Sequence, residues 1–327
     1  PFKYLVSIII ILASIFYGIL IEQKKVFPYY YIIRISDDLK RLLKSSDIVL
    51  ELNSTYKKLR LKDNKKNLTK IQPENNKEII LENIETKIKE TTLLPIEITS
   101  YKFQNITSNG GAIEFHNENI LISDKFGSFY KISLQNELVS KLNYPNIPNN
   151  INEFQKYSDY GAHSHFGIKD LLLVEKDKKL TLYVSHHTYN SELNKVAFSV
   201  SRINLKKETL KNINNWKTIF TSKYLPNAEI FGGLGSGGRL IEDHGKIVFS
   251  IGDFNYDSML ITSSERAIAQ NTDNEYGSII SIDPIQETYE TISIGHRNPQ
   301  GLVKTKNGKI YSTEHGPRGG DELNYIK

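Results

Sequence analysis

Residues Gly295–Lys327 read GHRNPQGLVKTKNGKIYSTEHGPRGGDELNYIK, and two short apolar runs separated by a turn signal decide how this stretch folds. Gly301-Leu302-Val303 and Ile310-Tyr311 flank Asn307-Gly308. That dipeptide suits a two-residue type I′ turn, in which both central residues take φ > 0. The pattern predicts a β-hairpin. A polar segment, His296-Arg297-Asn298, leads into it, and another, from Glu314 to Glu322, leads out. In an antiparallel meander these segments emerge at the same end, so guanidinium, carboxylate and backbone groups can converge on one ligand.

The same pattern recurs back to about Ser100. Lead strands are expected at Ala112 to Phe115, Asp170 to Val174, Arg239 to Ile241 and Leu302 to Val303, each preceded by a glycine: Gly111, Gly167, Gly238 and Gly301. The repeat is roughly 55 to 70 residues long, in the range of propeller blades with long loops. Four strand candidates follow each complete start. In the third unit they are Arg239-Leu240-Ile241, Lys246 to Ser250, Ser278 to Ile282 and Tyr289 to Ile294. Four-stranded meanders repeated radially protect sheet edges, which makes an all-β propeller the expected class and a solenoid the alternative.

Strand reversal sorts the loops between two ends. His163, His165, His186, His187, His296 and His315 fall on one end with Asp253, Arg297, Arg318, Asp321 and Glu322, and His116 and His244 fall on the other. The first end is the expected binding mouth.

The 327 residues carry a formal charge of +5, with 39% hydrophobic and 10% aromatic side chains. Such a chain can bury a sizeable core. Without a long basic block interleaved with aromatics, nucleic-acid binding is not expected. The absence of cysteine excludes disulfides, thiol catalysis and cysteine zinc sites. Tyr4 to Ile21 has no charged residue and is just long enough, at 1.5 Å per helical residue, to cross a bilayer core. Residues 1–25 therefore read as a retained transmembrane signal anchor, with a cleaved signal or a buried core helix as alternatives, and the later domain as periplasmic or extracellular. Residues 26–100 are polar. Leu39, Leu42 and Leu43, and the four-residue spacing of Ile80, Ile84 and Ile88, predict short amphipathic helices there. Residues 101–327 form the propeller. Pro1 and the strand-like Leu323 to Lys327 read as cut ends.

GHRNPQGL followed by EHGPRGGDELN, together with GGRLIEDHGKIVFSIGD from Gly237 to Asp253, resembles the soluble quinoprotein glucose and aldose sugar dehydrogenases. The resemblance covers about residues 101 to 327. It implies a six-bladed β-propeller, of which about four blades are present and about two are expected beyond Lys327. It also implies pyrroloquinoline quinone (PQQ) and Ca²⁺ as cofactors, a sugar or alcohol substrate and a separate electron acceptor. On this resemblance Arg297 and Asn298 contact the quinone. Gly316 and Pro317 bind calcium through their carbonyls, and Asp321 and Glu322 belong to a second calcium region. Asp253 orients the catalytic histidine.

That histidine is missing. The position three residues before the glycine of the GRL string is Gly235, and glycine cannot take the hydroxyl proton that sugar oxidation must release, a contribution of about 10²- to 10⁴-fold. His163, His165, His186 and His187 are the substitutes within reach of the mouth. Two readings follow: a membrane-anchored PQQ- and calcium-dependent sugar or alcohol dehydrogenase, and a non-catalytic propeller that binds a carbohydrate or a protein at the same mouth.

Overall fold

The structure, a computed structural model, describes residues 79–80, 82–89, 96–102, 110–136, 138–157, 165–225, 231–256, 268–316 and 319–327. All of them belong to one compact unit, Asn75–Lys327. The expected anchor at Tyr4 to Ile21 and the helix around Leu39 to Leu43 lie outside the described residues. No helix among the described residues is long and apolar enough to cross a membrane.

Three four-stranded antiparallel meanders and a three-stranded one follow each other along the chain. The first sheet holds β4 (Gly111–His116), β5 (Asn119–Asp124), β6 (Phe129–Ser133) and β7 (Leu138–Leu142), with β1 (Ile79–Ile80) added beside β7. The second holds β8 (Ile168–Lys176), β9 (Lys179–Asn190), β10 (Lys195–Leu205) and β11 (Lys217–Thr221). The third holds β12 (Gly237–Asp243), β13 (Lys246–Ile251), β14 (Ser278–Ile282) and β15 (Tyr289–Ile294). The fourth holds β16 (Pro299–Lys304), β17 (Ile310–Glu314) and β18 (Glu322–Ile326). The lead strands β4, β8, β12 and β16 each lie against the next, the inner-strand contact that propeller blades make.

Sequence explains the layering. Central strands such as KIVFSI in β13 and SIISI in β14 are almost wholly buried, because sheets cover both of their faces, whereas the outer β15, YETISI, is half-buried to exposed. Apolar side chains fill the space between successive sheets. Leu121, Phe129, Leu171 and Leu182 join the first two, Phe198, Phe249 and Leu240 the second and third, and Val248, Ile279 and Leu302 the last two. The recurring lead-strand glycines are places of close approach. A Cβ would come within 2.1 Å of the Ser123 carbonyl at Gly111, 2.2 Å of the Lys125 carbonyl at Gly167, 2.5 Å of the Lys169 Cβ at Gly238 and 2.1 Å of the Thr313 hydroxyl at Gly301. Any side chain would push an inner strand off its neighbour. A short helix outside the meanders, α1 (Ile151–Tyr157), packs Phe154 on Phe166 at 4.3 Å between ring centres.

Two local expectations are corrected. The hairpin of the fourth sheet turns through a longer loop than Asn307-Gly308 alone: Gly308 N–H donates to the Thr305 carbonyl, and Thr305 N–H to the Lys309 carbonyl. Gly308 has φ +80°, and Asn307 is not in the positive-φ region, so the turn is type I closed by a left-handed glycine rather than type I′. The Ile80/Ile84/Ile88 spacing belongs to strands, not a helix. Ile80 is in β1, and Ile84 and Ile88 are in β2 (Glu82–Lys89), which pairs with β3 (Ile96–Lys102). A four-residue spacing is also two strand periods, and Thr86 between the isoleucines is β-branched.

Candidate functional site

Lead strands β8, β12 and β16 begin at one end of the sheets, and the second strands β9, β13 and β17 finish there. Loops 231–236, 252–256 and 295–298 therefore meet, joined by His315 and Gly316 after β17. Asp253 N–H donates to the Arg297 carbonyl at 2.8 Å, and Phe254 N–H to the Gly235 carbonyl at 2.9 Å. Arg297 Nη2 is 3.4 Å from Asn255 Oδ1, and its Nη1 reaches the carbonyls of His315 (3.2 Å) and Gly316 (3.5 Å). Asn298 is buried and accepts from Gly237 N–H at 3.3 Å. Gly235, Asp253, Arg297, Asn298 and Gly316 thus share one neighbourhood. His116 and His244 lie on the hairpins at the opposite end. Pro317, with Arg318 and His163, lies outside the described residues.

A cleft of about 360 Å³ opens at this end. Gly235 and Asn298 line it with His165, Lys169, Asp170 and Arg239. Asp170 ties β8 to β12, accepting from Leu240 N–H at 2.8 Å and Arg239 Nη1 at 3.2 Å. Burial pushes its carboxyl up to about 6, against the pull of those two donors. Burial also lowers Lys169 to about 8, helped by the nearby Lys125 ammonium. The imidazole of His165, at the rim, is lowered by desolvation and then by Lys169 and Lys125, so it is neutral at pH 7. Lys169, Asp170 and Arg239 are not among the site residues that the sequence marks. The available signal was a polar residue just after a lead-strand glycine, inside an otherwise apolar run.

The other histidines separate by burial. His186 and His187 are not loop residues but members of β9, fully buried. His186 places Nε2 2.8 Å from Ser201 Oγ. His187 accepts from Gly167 N–H at Nδ1 (3.3 Å), and its ring packs on Phe166, Phe198, Phe231 and Phe254. Desolvation holds both rings neutral, and neither reaches the mouth. His296 is buried too, with Nδ1 3.0 Å from Glu314 Oε1 and Nε2 2.7 Å from Ser293 Oγ.

Hard oxygen donors follow at Asp321 and at Glu322, the first residue of β18. Asp321 Oδ1 accepts from Gly316 N–H at 3.0 Å, and Glu322 Oε2 accepts from Asn324 Nδ2 at 3.0 Å. The Gly316 carbonyl faces the Arg297 guanidinium. Among the described residues, no group of three or more acidic or histidine side chains is arranged to hold a metal.

Residues 111–327 match the glucose/sorbosone dehydrogenase family. The chain belongs to the glucose/sorbosone dehydrogenase family. Curated relatives agree. Quinoprotein glucose dehydrogenase B of Acinetobacter calcoaceticus is 56% identical over 34 residues, 10% of this chain and 7% of that protein. Aldose sugar dehydrogenase YliI of Escherichia coli is 26% identical over 182 residues, 51% of this chain and 45% of that protein. An uncharacterised Synechocystis protein is 41% identical over 76 residues, 19% and 18% of the two chains. The chain thus spans less than half the length of each curated relative it matches.

The cleft carries the donors that an anionic ligand needs. Two glycine-lined walls, at 110–111 and 233–237, leave backbone exposed to a ligand, while Lys169, Arg239 and Asn298 supply donors around them.

Proposed function

We propose that this protein is a sugar or alcohol dehydrogenase that uses PQQ, bound at the cleft beside Arg297 and Asn298, with Ca²⁺ at the Gly316-Pro317 loop and a separate electron acceptor. The observation that carries this reading is the meeting of Arg297, Asn298, Asp253 and Gly235 at one cleft-bearing end of the sheets. PQQ supplies a two-electron acceptor when bound. Arg297 offers a permanently charged planar fork for carboxylates. Asn298 is fixed by its bond to Gly237 N–H, which orients its amide. Calcium at Gly316-Pro317 rests on the resemblance, and the hard carboxylate oxygens of Asp321 and Glu322 suit the second calcium region that the resemblance implies. The apolar Tyr4 to Ile21 stretch supports a membrane anchor, with the propeller on the periplasmic or extracellular side. The six blades rest on the resemblance; the exposed apolar side chains of Ile113 and Phe115 on the first sheet and Val303, Leu323 and Tyr325 on the fourth are compatible with further sheets packing there.

With Gly235 unable to act, His165 is the base this cleft offers: it lines the same cleft, and its neutral ring can accept a substrate hydroxyl proton. The second reading, a non-catalytic binding propeller, is favoured by the backbone at Gly235. Its φ is +66°, and a Cβ there would stand 3.0 Å from Asn255 Oδ1, so a histidine at this position would be strained and crowded. The separating experiment is a dye-linked assay with aldoses on the complete protein reconstituted with PQQ and Ca²⁺. Cofactor-dependent turnover supports the dehydrogenase. PQQ binding without turnover marks a catalytically silenced member of the family, and absence of both supports the binding module.

A further inference from the structure

The lead strands of the second, third and fourth sheets share a device. Each breaks register with its partner near the cleft: β8 between Ile168 and Asp170, β12 between Gly237 and Leu240, and β16 between Pro299 and Gly301. The residues set free by these bulges include Lys169, Arg239 and Gln300, and all three line the cleft. A bulge re-aims a side chain that regular pleating would direct elsewhere. Arg239 has a counter-charge in Asp170. The Lys169 ammonium makes no hydrogen bond or ion pair among the described residues, and the neighbouring Lys125 adds positive charge. Lys125 lies in the turn after β5, where its carbonyl accepts from Ile168 N–H at 3.2 Å. Gly238, which leaves no room for a Cβ beside the Lys169 stem, holds that stem between β8 and β12.

The geometry points to Lys169 as an anion-binding residue of the cleft that takes a carboxylate of the quinone cofactor, in addition to the contacts at Arg297 and Asn298. This inference rests on the cofactor reading above. A partly desolvated ammonium without a counter-charge binds an anion more strongly than a solvated one. The charged and titratable groups that act on it are Lys125, His165 and His187 on β9; Asp170, next to it on β8, is engaged by Arg239 and Leu240 N–H, and Glu114 on β4 acts on Asp170. Between pH 7 and 9.5 both histidines stay neutral and Asp170 stays ionised, which leaves the lysines to titrate. Anion binding favours the protonated amine, so affinity falls as pH rises through about 8.

The test is equilibrium titration of PQQ into the complete protein at pH 7 and 9.5, with thermal melts to verify folding, for wild type, Lys169→Met and Lys169→Arg. The expected result is a wild-type affinity about tenfold weaker at pH 9.5 than at pH 7. Lys169→Met should bind about ten- to a hundredfold more weakly at pH 7, and Lys169→Arg should bind tightly without the pH dependence. Equal PQQ affinity in wild type and Lys169→Met overturns the inference and leaves the cofactor reading intact. A pH dependence that survives in Lys169→Arg assigns the effect to Lys125 and also overturns it. No PQQ binding by wild type overturns the cofactor reading together with this one.

Discussion

The carboxylate of Glu314 lies 3.0 Å from Nδ1 of His296, with both side chains buried, and this pair fixes the loop that carries Arg297 and Asn298. The second oxygen of Glu314 accepts from Arg297 N–H at 2.8 Å, and Asn324 Nδ2 reaches the first at 2.5 Å. Burial alone would push this carboxyl up, but the hydrogen bond and charge of His296, with the Arg297 and Asn298 N–H groups, outweigh it and hold its pKa below the ordinary value. Stability from Glu314 is therefore present above the unfolded pKa of about 4.3 and lost as pH falls through the lower folded value. Glu314→Gln should cost about 1–3 kcal/mol at pH 7, with a gap to wild type that narrows below about pH 4. Urea melts at pH 7 and 3.5 check this; an equal gap at both values contradicts it.

Asp170 has the opposite sign. Its carboxyl is raised to about 6 by burial, so its stabilisation is complete below the unfolded value of about 3.9 and is lost as pH rises through about 6. Asp170→Asn should flatten the pH dependence of the melting temperature between pH 4 and 6. Asp170→Ala should cost about 1–3 kcal/mol, because Leu240 N–H and Arg239 lose their acceptor. A wild-type profile unchanged by Asp170→Asn would show that the carboxyl is not titrating there.

The four meanders were legible in the sequence, and the features that shape the cleft were not. Lys246 to Ser250 and Ser278 to Ile282 reappear almost unchanged as β13 and β14, because their apolar runs and turn residues admit one period. Ile84 and Ile88 were ambiguous by arithmetic, since four residues is both a helical turn and two strand steps. His186 and His187 looked like mouth residues because a buried strand with polar members resembles a loop in sequence. Lys169, Arg239 and Gln300 depend on bulges, which are relations between strands that no single strand's pattern reveals. Arg297, Asn298 and Asp253 were legible only through the resemblance, and the structure adds that their loops meet.

Gly235 is held by its backbone. At φ +66°, with Asn255 within 3.2 Å of where a Cβ would stand, Gly235→His should destabilise the protein by about 1–2 kcal/mol and give no gain in aldose-dependent dye reduction. Thermal melts and the reconstituted assay check both halves. A variant as stable as wild type that also oxidises aldoses faster would contradict the strain argument.

His165 is the base in the dehydrogenase reading. His165→Ala should lower turnover of the reconstituted protein by about 10²- to 10⁴-fold, whereas His186→Ala and His187→Ala should act mainly on stability because those rings are buried. Unchanged turnover in His165→Ala removes it as the base.

The central claim, that the cleft end of these sheets binds PQQ, is tested most directly by the melting temperature of the complete protein with and without saturating PQQ and Ca²⁺. A ligand present at about a hundred times its Kd stabilises the native state by about 2.7 kcal/mol. The expected result is therefore a rise of several degrees in wild type and a much smaller rise in Arg297→Ala. No rise in wild type would contradict the account.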